Sequence, residues 1–257
     1  MRLIERVAIV TGAGSGLGRV IAQSFAAEGA DVVLVGRRIE PLEETATMVR
    51  ALGPRALAVS ADVSLEGDVR ELVQRALAEL GRIDVLVNNA ASPGTDQTVA
   101  NMTLDNWNAT LATTLTGAML CARECLTRSM LPRRSGTIVN VASSAGRHGQ
   151  PRRSHFSAAK AGLLVLTEAL SREVGPQGVR VNAVVPGLVA TELLDKYHQR
   201  VAAERGVAYE RVVAEASATT ALRRLITPEE VAAVAVFLAS EQSSGVTGQA
   251  IVVSGGS

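Results

Sequence analysis

Short apolar runs alternate with amphipathic stretches from one end of the chain to the other. Residues 6–11, 31–35, 56–60, 83–87, 136–142, 179–185 and 250–253 are dominated by Val, Ile, Leu and Ala and are bounded by Gly, Pro, Asn, Asp or Ser, the pattern of buried strands. Between them the apolar positions recur at helical spacing. Helices are predicted at 17–28, at 41–52 with Pro41 in the first turn, and from near Leu65. A longer one covers 104–130, with a break expected near Gly117, and 132–135 turn into the next strand. Another starts near Ser154 or Ser157, either of which could cap it, runs to Val174 and is ended by Gly175-Pro176. A more polar helical stretch fills 191–218, and Thr227-Pro228-Glu229-Glu230 opens a last helix with acids in its first turn. Strand and helix alternate without repeat, linker or low-complexity segment. The expectation is an α/β fold: one doubly wound parallel sheet with helices on both faces, in a single domain spanning 1–257.

Composition narrows this further. Of 257 residues, 47% are apolar but only 2% aromatic, so the core must be Ala, Val and Leu, which suits a parallel sheet between helices. The formal charge of +1, with no basic block, offers nothing to nucleic acid or an anionic membrane surface. No apolar run reaches the length of a membrane span and the first residues do not read as a signal peptide. Cys121 and Cys125 sit four apart on a helix; a redox pair or half a metal site is one reading, two buried thiols the plainer one. No metal site is expected, and a reducing cytoplasm fits.

Candidate chemistry lies where the strands end. Residues 6–11 run into Gly12-Ala13-Gly14-Ser15-Gly16-Leu17-Gly18 and then a helix. Four glycines between a strand and a helix allow a tight turn and close approach of a pyrophosphate to the helix N-terminus. About 20 residues on, where a dinucleotide's ribose is read, the chain has Gly36-Arg37-Arg38 and no acid. Gly36 leaves room and Arg37 and Arg38 could pair with a 2′-phosphate, favouring NADP(H) over NAD(H); the alternative is that both arginines are solvated surface charges. Asp62 could accept from an adenine amino group or cap the following helix. The strand at 136–142 ends in Ser143-Ser144, and Phe156 and Lys160 share one face of the next helix.

Taken together these motifs resemble the short-chain dehydrogenase/reductase family over essentially the whole chain. The resemblance rests on Thr11 to Gly18, Asn88-Asn89-Ala90, the Ser143 strand end, Lys160, Pro186-Gly187 and Val246-Thr247-Gly248-Gln249. It implies a Rossmann-type fold, a nicotinamide cofactor, and a dimer or tetramer built on the helices around 115–131 and 157–174. By resemblance Gly12, Ser15, Leu17, Gly18, Asp62, Val63, Asn89, Ala90, Lys160, Pro186, Gly187 and Val189 would hold the cofactor, with Arg37 at its 2′-phosphate. In the family a Ser polarises the carbonyl, a Tyr carries the proton, a Lys four residues later tunes that Tyr, and an Asn anchors a water chain. Ser143 and Lys160 take two of these roles. Phe156 stands at the Tyr position, thirteen residues after Ser143 as the family spacing requires, and Thr114 falls at the Asn position. Ala91 and Ser254 depart from the usual Gly and Asp.

Phe cannot protonate an alkoxide. One expectation is therefore a carbonyl/alcohol oxidoreductase with a displaced proton carrier: His155, His148, Tyr197, Tyr209 or a water on Lys160. His155 is expected at the surface or an interface. The alternative is a cofactor-binding homologue acting as a regulatory or inactive subunit. An engineered Tyr-to-Phe change is a third reading, against which Thr114 and Ala91 argue. The 191–218 stretch resembles a mobile lid, or equally a surface excursion. Arg147, His148, Arg152, Arg153 and His155 crowd the segment before Lys160; they would favour an anionic substrate, or form a solvated or subunit-interface loop.

Overall fold

The computed structural model describes residues 1–256. Seven parallel strands form one sheet in the order β3-β2-β1-β4-β5-β6-β7: β1 Val7–Thr11, β2 Asp31–Gly36, β3 Ala56–Ser60, β4 Val85–Asn88, β5 Gly136–Val141, β6 Val179–Pro186 and β7 Ala250–Val253. The order reverses between β1 and β4, which opens a crevice at the carboxyl ends of those strands.

The twofold alternation of strand side chains builds two cores from one sequence. Ala8, Val10, Val32, Leu34, Val139 and Val141 face one way, against α1 (Gly16–Ala27), α2 (Ile39–Arg50) and α10 (Pro228–Ala239). Val7, Ile9, Val33, Val35, Ile138 and Val181 face the other, against α3 (Glu66–Leu80) and α5 (Gly117–Cys125). On that face α7 (Ser154–Val174) follows β5. The strands are mostly aliphatic because both faces are dry, and the buried polar side chains they carry, such as Asn88 and Asn140, are hydrogen-bonded to each other. Cys121 and Cys125 are buried, free thiols in the second core.

Several boundaries move. α2 begins at Ile39, so Pro41 lies inside its first turn. The helix at 104–130 does not break at Gly117. It runs from α4 (Leu104–Leu111) through a π turn at Ala112–Thr116 into α5, then a second π turn at Leu126–Met130 and α6 (Leu131–Arg133), so the first half of the expected 132–135 turn is still helical. Gly117 serves close approach instead: a Cβ there would lie 2.8 Å from Val63 Cγ2 and 3.0 Å from the Val63 carbonyl. Residues 191–218 form two helices, α8 (Glu192–Arg205) and α9 (Tyr209–Ala218), separated at Gly206, which has φ +63°. α10 has the full reciprocal cap between Thr227 and Glu230. Neither serine caps α7. Arg153 is the N-cap residue, the Ser157 hydroxyl accepts from the Gln150 amide at 3.1 Å, and the Ser154 hydroxyl is buried without a partner.

Candidate active site

The glycine loop is held from below. Asn89 Nδ2 donates to Thr11 O at 2.8 Å and Gly12 O at 3.3 Å, and the Thr11 hydroxyl accepts the Asn89 and Ala90 amides. β4 thus ties its own end to the loop after β1, across the point where strand order reverses. Gly12 (φ +67°) and Gly18 face this tether, and a Cβ on Gly18 would collide with the Gly12 carbonyl. Gly16 is different: nothing lies within 4 Å of a Cβ built there, so its backbone faces open space. Ser15 and Gly16 are exposed, α1 has no side-chain cap, and no acid occupies its first turn. Its first amides therefore have no side-chain partner in the helix and carry its positive end, which fits an anionic dinucleotide.

At the end of β2, Arg37 and Arg38 are exposed, and neither guanidinium has a hydrogen bond among the described residues. Asp62 is neither the cap of α3, whose N-cap is Leu65, nor open on both oxygens. Its Oδ1 accepts the Ser64 hydroxyl at 2.6 Å and amide at 3.0 Å. Partial burial works to raise its pKa, but those Ser64 bonds and the nearby Arg37 charge outweigh it and hold the carboxyl below its ordinary value. Val63 lies against Gly117. Pro186 closes β6; Gly187 donates to Val253 O at 3.0 Å and has no room for a Cβ beside Ser254; Val189 pairs with Ile226.

Ser143 is extended (φ −168°) and its hydroxyl accepts the Ala145 amide at 3.2 Å, starting one short turn at Ser144–Gly146. That turn rests on α7, since a Cβ at Gly146 would lie 2.6 Å from the Lys160 carbonyl carbon. Turn and helix backbone are therefore in direct contact. Lys160 is 3% exposed and donates to Val141 O at 2.5 Å. Burial pushes its pKa down from 10.5 to about 8. Two cations lie near the Phe156 ring: Lys160 Nζ is 5.8 Å and Arg153 Cζ 4.6 Å from its centroid. Thr114 is buried in the first π turn, and its hydroxyl accepts the Ser92 amide at 3.2 Å. It binds the loop after β4 rather than presenting an amide side chain.

The other candidate proton carriers differ in burial and partners. His155 is fully buried, not at the surface, because the loop at Gly94 packs on its ring and Nε2 lies 3.1 Å from Pro93 O. His148 is exposed. The Tyr209 hydroxyl donates to Asp195 at 3.0 Å, and that bond raises its pKa. Tyr197 is 43% exposed, with Arg200 over its ring at 5.4 Å. A feature the sequence reading missed is the pair of contacts on Asp96, 2.6 Å from Arg200 Nη2 on α8 and 3.5 Å from Arg153 Nε. Only the unusual density of arginines near Lys160 hinted at it.

The family described as enoyl-(acyl carrier protein) reductase matches residues 12–257. The short-chain reductase protein NovJ of Streptomyces niveus is 38% identical over 252 residues, covering 98% of this chain and 94% of the relative. The chain belongs to the short-chain dehydrogenase/reductase family. As a family member it is an oxidoreductase fold with a nicotinamide-nucleotide crevice. Two solved structures superpose on it with TM-score 0.93. One is a single-substitution variant of actinorhodin polyketide ketoreductase with NADPH, 34% identical and covering 97% of this chain and 96% of the other. The second is an NAD+-bound xylitol dehydrogenase, 29% identical and covering 100% of both. Among the described residues no helix is long and apolar enough to cross a membrane, and no group of three or more metal-ligating side chains occurs.

Proposed function

We propose that the chain is an NADP(H)-preferring oxidoreductase that interconverts a carbonyl and an alcohol on a small molecule, with a proton route that bypasses position 156. One observation carries this reading: the glycine loop after β1 is open at Gly16, β5 runs into Ser143 at the same carboxyl edge of the sheet, and the buried Lys160 on α7 lies 5.8 Å from the Phe156 ring centroid. Gly12, Ser15, Leu17 and Gly18 would receive the pyrophosphate, Arg37 the 2′-phosphate, and Asp62 and Val63 the adenine side. Asn89, Ala90, Lys160, Pro186, Gly187 and Val189 would border the ribose and nicotinamide. When bound, a reduced nicotinamide supplies a hydride.

The protein's own residues do the rest. Ser143 Oγ–H donates to the carbonyl oxygen and orients it. Phe156 keeps the volume of a phenol and excludes water from one side but holds no proton. Of the proton carriers considered, Lys160 is the one beside that ring, and a pKa of about 8 makes it able to give or take a proton near neutrality through a water at its Nζ. Thr114, engaged by the Ser92 amide, supports a route that does not run along α4 and α5.

The test is NADPH titration by fluorescence, followed by assay of the natural protein and Phe156→Tyr against a panel of ketones. NADPH should bind both. Turnover by the natural protein should be slow and rise ~10²–10⁴-fold in Phe156→Tyr. Binding with no turnover in either protein would favour the second reading, a regulatory or inactive subunit; Phe156 and Thr114 are the observations on its side. Absence of binding would sink both. We further assign a homodimer or homotetramer to the apolar face where Leu115 and Met119 meet Val165 and Leu166 of α7, readable by light scattering. The two buried thiols suit a reducing cytoplasm.

A further inference from the structure

The five basic residues before Lys160 do not act as a group. Arg147, His148 and Arg152 are exposed, and His155 is buried against Pro93. Arg153 alone sits beside the Phe156 ring, 4.6 Å from its centroid, with a side chain only 26% exposed. We propose that the cleft takes a substrate bearing a carboxylate, and that the Arg153 guanidinium receives it. This rests on the reading of the space around Ser143 and Phe156 as the substrate site.

Two observations support it. The first is the unused donor. Arg153 Nη1 donates to Gln150 Oε1 at 3.1 Å, but the buried Nε–H has no hydrogen-bond partner. Asp96 Oδ1 lies 3.5 Å from Nε without the alignment of a hydrogen bond, because Arg200 holds that carboxylate through Oδ2 at 2.6 Å. A residue serving only as a latch to Asp96 would aim its N–H there. Leaving such a donor unmade in a dry place is costly, and a bidentate oxyanion would satisfy it. The second is charge. Arg153 and Arg200 share the one Asp96 carboxylate, which is 21% exposed, while Glu204, 3.9 Å from Arg200, is 65% exposed and screened by solvent. Two guanidinium groups thus have a single shielded carboxylate between them, and Arg153 has the weaker hold on it, 3.5 Å against 2.6 Å for Arg200. Stacking on Phe156 pre-orients the planar fork, which a lysine could not reproduce.

The experiment uses the full chain with NADPH and two matched probe pairs, pentanoate with pentanamide and benzoate with benzamide. Ligand-observed NMR reads affinity without turnover. At least one carboxylate should bind the natural protein about tenfold or more tightly than its amide, the preference weakening with salt. Arg153→Met should abolish that preference while leaving NADPH affinity unchanged, and Arg153→Lys should retain only part of it. Circular dichroism checks the fold of each variant, and Arg153→Lys carries the comparison alone if Arg153→Met does not fold. Equal binding of acid and amide in both pairs overturns the inference, as does a preference that survives substitution. Loss of NADPH binding by the natural protein would instead sink the oxidoreductase reading itself.

Discussion

Lys160 offers a direct measure of how dry the site is. Its ammonium is buried beneath the Ser143 turn with one hydrogen bond, to Val141 O, and burial is the one cause of its fall from 10.5 to about 8. In the unfolded chain it holds its proton up to about 10.5; in the folded chain it releases it near 8. Between these pH values the unfolded state binds more protons, so folding becomes more favourable as pH rises. The stability withheld is complete below pH 8 and restored above 10.5. At ~1.4 kcal/mol for each factor of ten, the interval amounts to about 3 kcal/mol. Lys160→Met removes the titration while keeping an unbranched chain in the same space. It also orphans the Val141 carbonyl, at ~1–3 kcal/mol, but that cost does not vary with pH. Urea unfolding followed by circular dichroism, run on both proteins from about pH 7 to about pH 10.5, therefore isolates the effect. The natural protein should gain about 3 kcal/mol on the variant across that range, other groups cancelling in the difference. A difference flat to within ~1 kcal/mol would refute the reasoning: the lysine would then keep its proton when buried, and the proposed proton role with it would lose its basis.

Two further outcomes follow from the cofactor cradle. Gly18→Ala should destabilise the fold by ~1–3 kcal/mol and weaken NADPH binding, because the added methyl meets the Gly12 carbonyl and lies 2.5 Å from Asn89 Nδ2; Gly16→Ala meets no atom but strains the backbone at φ +52°, at ~1–2 kcal/mol, both read by thermal unfolding and fluorescence titration. Arg37→Asp should lower the ratio of NADPH to NADH affinity at least ~10-fold by removing the phosphate partner and adding an acceptor for a ribose hydroxyl, as calorimetric titration would show.

The fold was legible because its signals are local and repeated. Strands buried on both faces need unbroken β-branched and aliphatic runs, helices between sheet and solvent need a 3.6-residue apolar stripe, and Gly12 to Gly18 mark the turn that joins them. Phe156 and Lys160 share a helix face by their spacing, while Ser143 joins them only through the family resemblance. What lay outside the sequence were relations between distant segments. The reason for Gly117 lies in Val63, far earlier in the chain, which occupies the space where a side chain would be. His155 looked like a surface residue by its helical angle, yet the loop at Pro93 and Gly94 folds over it. Asp62 held two roles in prospect, and Ser64 gave it a third. The arginine-rich segment shows the division best: composition announced an excess of positive charge, but only the packing of Asp96 between Arg153 and Arg200, and of one guanidinium on the Phe156 ring, selected which charge faces the site. Periodicity and glycine chemistry are properties of a segment and travel with it. Burial, hydrogen-bond partnership and charge balance belong to pairs, and come into being only when the chain has closed on itself.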